Sequence, residues 1–267
     1  MVVVNYAFWA PIFAGMESRR RVVLMHDLLS ARVQRFLDAG LELDCAAISR
    51  ATELGWLNQA EIVLAIQEAE AEAVRELVRA RVMVQPIVLP LHAAGAAGDK
   101  DRCLFVGTRI QPNLTGIQWF LDEVWPLVLA GNSQATLAIA GSVCEVIRAD
   151  RPRTILLGTV ESLEAEFRAA GVCIVPLLIG SGLKIKLLEA LSYGKACVST
   201  PIGVQGLEGE TAIEVASEPE AFAAAVLRLM GDDTLRESRE AAAIELVRRR
   251  FRPESDAVRE FAEALLT

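Results

Sequence analysis

Two glycines and two lysines in the segment VPLLIGSGLKIKLLEALSYGKACVST suit the binding of an anion. Gly180 and Gly182 precede a predicted helix, where residues without a β-carbon let backbone N–H groups approach a negative charge that the helix dipole favours. Lys184 and Lys186 lie at the start of the same helix, where cations are otherwise unfavourable. An anionic ligand such as a phosphate group would account for both features.

Glu189 shares a helix face with Lys186 because the two residues are three positions apart. A carboxylate there could accept hydrogen bonds from ribose hydroxyls, as an acidic residue does in nucleotide-binding folds. The spacing is equally compatible with a glycine-containing loop followed by a Lys–Glu surface pair. The residues by themselves leave both interpretations open.

A second group, His26 and Asp27, follows an apolar run in VVLMHDLLSARV. The run predicts a strand, and ligands of open α/β sheets bind at the carboxyl ends of strands. A ligand contact and a purely structural role are both open for His26. Asp27 is predicted to cap the helix that follows.

Short, continuous apolar runs alternate with longer stretches of helical period along the whole chain. Such strands are typical of a parallel sheet covered by helices, and strand–helix alternation predicts an α/β doubly wound fold. The predicted strands are Val2–Val4, Val22–Met25, Ile62–Ile66, Val82–Leu89, Cys103–Val106, Leu137–Ala140, Ile155–Leu157, Val172–Val175 and Ala196–Ser199. The predicted helices are Ser30–Ala39, Glu68–Arg79, Gly116–Val128, Leu163–Ala170, Ile185–Tyr193, Glu220–Met230, Thr234–Arg250 and Pro253–Leu266.

The composition is that of a globular protein with more acidic than basic side chains. The 267 residues are 53% hydrophobic and 23% charged, and the net charge of −8 argues against a general nucleic-acid binder. Five cysteines without C-x-x-C spacing indicate reduced thiols, and two histidines without clustered ligands predict no metal site. The first sixteen residues lack the basic start of a signal peptide, so we expect a cytoplasmic protein.

Short charged runs are interpreted as solvated surface. Glu68, Glu70 and Glu72 alternate with alanines and predict an exposed helix face, and the arginines at 19–21 and 248–250 predict solvated flanks.

Small residues followed by charges in HAAGAAGDKD predict a linker. We expect a partial N-terminal domain over residues 1–92, a linker over 93–101, a complete second domain over 102–250, and a C-terminal helix over 251–267 that packs back on the first domain. The first part has three or four predicted strands, fewer than a doubly wound domain usually has, so it is predicted to be truncated. Its open apolar edge predicts a homo-oligomer in which Val2–Trp9 makes the contact.

The stretch GSGLKIKLLEALSYGKACVSTPIGVQGL resembles the donor-binding segment of family 4 (group 1) glycosyltransferases. It carries a GSG-x-x-x-K-x-x-E-A loop and then S-T-P-x-G-x-x-G-L. The upstream LFVGTRIQPNLTGIQWFLDEVWPLV is similar to the opening of the same family's nucleotide-binding domain. The resemblance covers about Cys103 to Leu229 closely and His26 to Pro90 loosely. It implies the GT-B fold, with two Rossmann-like domains of which the N-terminal one is incomplete.

The resemblance also implies roles for the residues of the predicted helix. Glu189 matches the second glutamate of the family's E-x7-E motif, which holds the nucleotide ribose. Ser181 stands where the first glutamate would be, so the donor-sugar contact of that carboxylate is not carried over. Lys186 matches a cation that reaches the diphosphate, beside Lys184 and the Gly180–Gly182 loop.

Three further positions are matched upstream. Gly107 corresponds to the glycine of a loop that approaches the donor. Thr108 takes the place of the basic residue usual beside that glycine, and Arg109, one position later, is expected to substitute for it. His26 is similar to the terminal histidine of an N-domain strand that faces the donor sugar, whereas His92 is predicted to belong to the linker.

The implied function is transfer of a sugar from a nucleotide-diphospho-sugar, retaining and metal-independent, with His26, Lys186 and Glu189 as the catalytic residues. The donor is a substrate, and no cofactor is expected. The implied acceptor is a glycan, a lipid-linked acceptor or a small molecule of polysaccharide biosynthesis. The localisation left open beside a purely cytoplasmic one is peripheral contact of the protein with the inner membrane face. A truncated, non-catalytic nucleotide-binding module acting through a partner chain is the main alternative, and an epimerase of related fold is a weaker one.

Overall fold

The computed structural model describes residues 1–16, 20–40, 42–43, 45–92, 98–148, 150–180 and 182–266. The chain divides into two compact units. The first contains Met1–Val88, Gly180–Leu183 and Pro253–Thr267, and the second contains Leu89–Ile179 and Lys184–Arg252. Within the described ranges, no helix is long and apolar enough to cross a membrane.

The elements alternate in the order expected for an α/β protein. The strands are β1 (Val2–Asn5), β2 (Arg21–Met25), β3 (Ile62–Ala65), β4 (Arg81–Val84), β5 (Asp99–Val106), β6 (Thr136–Ala140), β7 (Thr154–Gly158), β8 (Ala170–Val175), β9 (Ala196–Ser199) and β10 (Ile213–Val215). The α-helices are α1 (Leu29–Asp38), α2 (Arg50–Leu57), α3 (Glu68–Arg75), α4 (Gln111–Trp119), α5 (Trp125–Gly131), α6 (Glu164–Ala169), α7 (Ile185–Ser192), α8 (Pro219–Gly231), α9 (Asp233–Phe251) and α10 (Asp256–Leu266).

The first unit is built on a four-stranded parallel sheet of order β1-β2-β3-β4. Alternate residues of its strands face opposite sides. Val23 and Val63 belong to a core with α2, α3 and the 3-10 helix Ala7–Phe13. Val22 and Ile62 belong to a smaller core on the other face, where Phe261 of α10 packs. The C-terminal helix therefore covers one face of this sheet.

The second unit has a six-stranded parallel sheet of order β10-β9-β8-β5-β6-β7. The chain begins at β5, moves outward to β6 and β7, and then returns to place β8 on the other side of β5. The strand order reverses between β5 and β8. Open α/β sheets bind ligands at such a switch point, outside the carboxyl ends of the strands.

The core of the second unit lies under α4, α5 and α8. Phe120 and Trp125 are fully buried, and the ring of Phe120 packs on Phe222 with centroids 5.7 Å apart. Trp119 is partly buried and contacts the edge of the same Phe222 ring. A π-helical turn, Phe120–Val124, joins α4 to α5. The aromatic residues of this segment therefore stabilise the core.

Several predicted boundaries were wrong. The helix α2 and the strand β10 were not predicted, and β4 ends at Val84 rather than Leu89. The strand β5 begins at Asp99, inside the predicted linker, of which residues 93–97 lie outside the described residues. Within Val2–Trp9, the segment predicted to make the contact between copies, β1 ends at Asn5 and a 3-10 helix begins at Ala7.

Candidate functional site

The carboxyl ends of β5 and β8 bring two of the predicted groups to one edge of the second sheet. Gly107, Thr108 and Arg109 follow β5 directly, while Lys184 precedes α7, the helix reached from β8. Because β5 and β8 are hydrogen-bonded parallel neighbours, the loops that leave them start at the same edge. Residues far apart in the sequence thus converge at the switch point.

The loop at Gly107 is held by backbone contacts with the loop after β6. Gly107 donates to the carbonyl of Ala140 over 2.9 Å, and Val143 donates back to the carbonyl of Gly107 over 3.3 Å. Gly141 has φ of +105°, and a β-carbon there would lie 2.1 Å from the carbonyl oxygen of Gly107. Only glycine allows this approach, so the loop after β5 is held in a fixed backbone conformation. Gly141 was not singled out from the sequence.

Lys186 and Glu189 form the ion pair that their spacing predicts, with 2.8 Å between Nζ and Oε2. Both side chains are part-exposed, at 40% and 32%, so they remain accessible to a ligand. The Nζ of Lys184 donates to Oε1 of Gln205 over 3.1 Å. The start of α7 therefore carries two cations, and a carboxylate follows one turn further in, which are the charges needed to hold a diphosphate and a diol.

Arg109 is exposed and points its guanidinium at Glu145, with 3.0 Å between Nη1 and Oε2. Its backbone N–H donates to Oγ of Ser142 over 3.0 Å. Thr108, also exposed, accepts from the amide of Asn113 over 3.3 Å. Arg109 thus supplies a cation on the β5 side of the switch point, although an anionic ligand must compete with Glu145 for it.

The loop after β9 contains contacts that the sequence did not reveal. The buried hydroxyl of Thr200 donates to the carbonyl of Leu177 and accepts from the backbone N–H of Gly203. Arg250, from the end of α9, donates to the carbonyl of Gly206 over 3.2 Å and pairs with Glu210. The arginine run at 248–250 was predicted to be a solvated flank, but Arg249 and Arg250 both pair with Glu210 and anchor this loop.

His26 lies in the first unit at the carboxyl end of β2. Its Nε2 is 3.1 Å from Oδ1 of Asn5, and its ring centroid is 4.8 Å from that of Tyr6. Gly180 and Gly182 group with the same unit, and a β-carbon on Gly182 would lie 3.7 Å from the carbonyl oxygen of His26. Ser181 lies outside the described residues.

Asp27 does not cap α1, which corrects the sequence-based prediction. The cap is Glu53 from α2, a fully buried carboxylate whose two oxygens accept from the backbone N–H groups of Leu29 and Ser30, each over 2.8 Å. Asp27 instead pairs with Arg32 over 3.2 Å. A distant carboxylate takes the cap because its two oxygens can satisfy two successive N–H groups.

Glu70 is also buried, at 5% exposure, whereas it was predicted to lie on a solvated helix face. Its Oε1 accepts from the backbone N–H of Leu28 over 3.4 Å. Burial, together with the nearby charge of Asp27, raises the pKa of Glu70 from 4.5 to about 7. Three acidic side chains thus surround the turn that follows His26.

His92 was predicted to belong to the linker. Its ring stacks on the ring of Tyr193, the residue just after α7, with 3.7 Å between the ring centroids.

The cysteines of β5, β8 and β9 are buried, and burial raises the pKa of the Cys173 thiol to about 12. Among the described residues there is no group of three His, Cys, Asp or Glu side chains that could hold a metal ion.

Comparison with known protein families identifies the family of one part of the chain. Residues 100–232 match the family described as Glycosyl transferases group 1. This part of the chain belongs to the group 1 glycosyltransferases. The glycosyltransferase segment coincides with the second unit from β5 to the end of α8, and it contains every second-unit residue placed above at the switch point.

A curated relative and several solved structures are similar to the chain. A protein of Klebsiella pneumoniae, named as an uncharacterized 44.6 kDa protein in cps region, is 33% identical over 122 residues, which is 40% of this chain and 31% of that protein. TarM is 13% identical with a TM-score of 0.77, and the match covers 99% of this chain and 53% of TarM. HepE of Anabaena, in complex with UDP and glucose, is 14% identical with a TM-score of 0.72 over 99% of this chain and 77% of HepE.

These matches establish the fold of the whole chain as that of GT-B glycosyltransferases, with two parallel α/β sheets. The chain spans about a third of the Klebsiella protein and about half of TarM.

Proposed function

We propose that the chain is a glycosyltransferase that uses a nucleoside-diphosphate sugar as its donor. The observation that carries the proposal is the charge arrangement at the switch point. Arg109 lies on the loop that follows β5, and Lys186 and Glu189 lie on α7, the helix that follows the neighbouring strand β8. The complexes of TarM and HepE with UDP support this class of donor.

The residues suggest how the donor is activated. Departure of the nucleoside diphosphate develops negative charge, which Lys186, Arg109 and the N-terminus of α7 stabilise in the transition state. Glu189 binds the ribose hydroxyls, and its ion pair with Lys186 holds both side chains in place before the donor arrives. Because side-chain cations supply the neutralising charge, the proposed reaction is metal-independent, and the transfer is retaining.

His26 contacts the transferred sugar in this proposal, and Asn5 orients its ring. A hydrogen bond from Nε2–H to Oδ1 of Asn5 leaves Nδ1 as the acceptor on the imidazole. Lys184 completes the proposed donor site on the second unit. Lys184 is positioned by Gln205.

Nucleoside-diphosphate binding is the direct test. UDP, GDP and ADP are added separately to the chain, and the unfolding temperature of the chain is followed as ligand concentration rises. We expect at least one of them to raise the unfolding temperature progressively, by linkage. Lys186→Ala should remove most of the rise, since it deletes the phosphate-binding cation.

Lys100→Ala is the matched control, because Lys100 is exposed near the amino end of β5, at the opposite edge of the same sheet. It should bind the diphosphate as the parent does. A parent chain that none of the three diphosphates stabilises would remove the basis for a donor site.

A non-catalytic nucleotide-binding module is the second candidate function. It is favoured by Ser181, which stands where the family motif has its first glutamate. Turnover separates the two: a transferase should slowly hydrolyse or transfer from UDP-glucose or a related donor, with loss of the activity in His26→Ala. Stable diphosphate binding without turnover of UDP-, GDP- or ADP-sugars would favour the module.

The acceptor is a glycan or lipid-linked glycan of polysaccharide biosynthesis. The complex of a TarM mutant with Fondaparinux, alpha-GlcNAc-glycerol and UDP supports a glycan. We place the protein in the cytoplasm, with peripheral contact to the inner membrane face.

Homo-oligomers form through β1, an edge strand of the first sheet that exposes Val3. Light scattering at several concentrations tests this, since a 29.0 kDa species at every concentration would contradict it.

A further inference from the structure

The loop after β9 contacts a lysine of the proposed donor site. Gln205 lies in this loop, and its Oε1 accepts a hydrogen bond from the Nζ of Lys184 over 3.1 Å. Both residues are half-buried. Because Gln205 is an amide, it orients the ammonium group of Lys184 without neutralising its charge. The position of that charge therefore depends on where the loop holds Gln205.

Gln205 occupies the second position of a tight turn. The turn runs from Val204 to Leu207, both buried, and the N–H of Leu207 donates to the carbonyl of Val204 over 2.7 Å. Its third residue, Gly206, has φ of +83°, a value that turns of this kind reserve for glycine. On the amino side, the N–H of Val204 donates to the carbonyl of Thr200 over 3.2 Å. The backbone on either side of Gln205 is thus fixed by buried residues.

Arg250 binds the same turn from the end of α9. Its Nη2 donates to the carbonyl of Gly206 over 3.2 Å, and its Nη1 donates to Oε1 of Glu210 over 3.1 Å. Because the guanidinium is planar, it donates in two fixed directions and ties two points of the loop to the helix. The same guanidinium lies over the ring of the buried Phe251, 5.5 Å from the ring centroid.

The helix that carries Arg250 also packs on the helix that follows Lys184. Contacts between α7 and α9 join the two helices within the second unit. The path from Arg250 through Gly206 and Gln205 to Lys184 therefore begins and ends on elements that are packed together. A contact at the end of α9 can fix an ammonium group at the start of α7.

We propose that Arg250 is a positioning residue of the donor site, which holds the turn at Gly206 so that Gln205 keeps the ammonium of Lys184 where it binds the diphosphate. This inference rests on the proposed function, in which Lys184 belongs to the donor site. Arg250 contacts no donor atom and acts through Gln205. Holding a long lysine side chain in place before the ligand arrives reduces the side-chain entropy lost on binding.

Side-chain NMR tests the positioning without a ligand, because the chain has only four lysines, at positions 100, 184, 186 and 195. The chain is labelled with nitrogen-15, and each Nζ resonance is assigned by substituting that lysine with arginine. Arg250→Ala and Gln205→Leu should each shift the Nζ resonance of Lys184 and leave that of Lys100 unchanged. Arg248→Ala is the matched control, since Arg248 is exposed in the same arginine run. It should leave all four resonances unchanged.

Diphosphate binding tests whether the position of Lys184 matters. The affinities for UDP, GDP and ADP are measured by isothermal titration calorimetry. For a diphosphate that binds the parent, Lys184→Ala should weaken binding by about tenfold and Arg250→Ala by about fivefold, since a charge-assisted hydrogen bond is lost or misaligned. Adding Arg250→Ala to Lys184→Ala should weaken binding by less than about twofold further, because the effect passes through Lys184.

Two results would overturn the proposal. One is an Nζ resonance of Lys184 that neither Arg250→Ala nor Gln205→Leu shifts. The other is a loss of affinity in Arg250→Ala that persists in full when Lys184 is already alanine, as a merely structural role requires. Gln205→Leu keeps the test decisive if Arg250→Ala does not fold. A parent that binds none of the diphosphates would remove the donor site, whereas the Nζ shifts would still decide whether Arg250 positions Lys184.

Discussion

Glu70→Gln should change how the stability of the first unit depends on pH. The carboxyl of Glu70 is buried in α3, accepts from the N–H of Leu28, and lies near Asp27. Burial is the main reason that its pKa is raised from 4.5 to about 7, and the negative charge of Asp27 adds to the rise. Glutamine keeps the shape and the acceptor oxygen but has no proton to lose.

The direction in which the free energy of unfolding changes with pH follows from proton binding. Between pH 4.5 and about 7 the folded chain retains a proton on Glu70 that the unfolded chain has released, so the free energy of unfolding falls as the pH rises through this window. A tenfold change in proton affinity corresponds to about 1.4 kcal/mol, so the full loss is about 3 kcal/mol above pH 7. Glu70→Gln should lack this loss and be more stable than the parent at pH 8 by up to about 3 kcal/mol. The two proteins should differ little at pH 4.5.

Hydrogen exchange is the suitable assay because it reports on the first unit by itself. Exchange of amides in residues 21–40 is compared between parent and variant at the same pH, so that the intrinsic pH dependence of exchange cancels. Glu72→Gln is the matched control, since Glu72 lies in the same helix and is exposed. The control should follow the parent at every pH.

A parent and a Glu70→Gln variant whose protection differs equally at pH 5 and pH 8 would refute this reasoning. Such a result would mean that Glu70 keeps its ordinary pKa, because hydration or the hydrogen bond from the N–H of Leu28 offsets the effect of burial on that pKa. A larger protection of the parent at pH 8 would contradict the sign as well.

Three other substitutions or treatments have definite expected results. Glu53→Gln should lower the free energy of unfolding by about 2 kcal/mol in chemical denaturation, because one of the two capped N–H groups loses its acceptor. Gly141→Ala should destabilise the second unit by more than about 2 kcal/mol, since a β-carbon would lie 2.1 Å from the carbonyl oxygen of Gly107, and a normal unfolding temperature would contradict that geometry. Cys173 and Cys197 should resist iodoacetamide at pH 8 until the chain is denatured, because burial raises the pKa of both thiols, and peptide mapping by mass spectrometry would detect early labelling.

Much of the fold could be predicted because it is encoded in neighbouring residues. Continuous apolar runs predicted the cores of nine strands, and helical period predicted most of the longer helices. The three-residue spacing of Lys186 and Glu189 predicted their shared face, and their ion pair confirmed it. The strand β10 was missed because it is three residues long, and α2 because it presents only a short apolar pattern.

The sequence by itself determined the alternation of strands and helices, the residues of the glycine-rich loop, and the order of motifs that places residues 100–232 in the group 1 glycosyltransferases. Each of these depends on residues close together in the chain. The tertiary structure decided which carboxylates are buried, as Glu53 and Glu70 show, and which arginine anchors a loop, as Arg250 shows. It also decided that β8 lies beside β5 and that Tyr6 lies beside His26. These pairings depend on which elements pack against each other, and a local pattern of polarity carries no information about the partner across the fold.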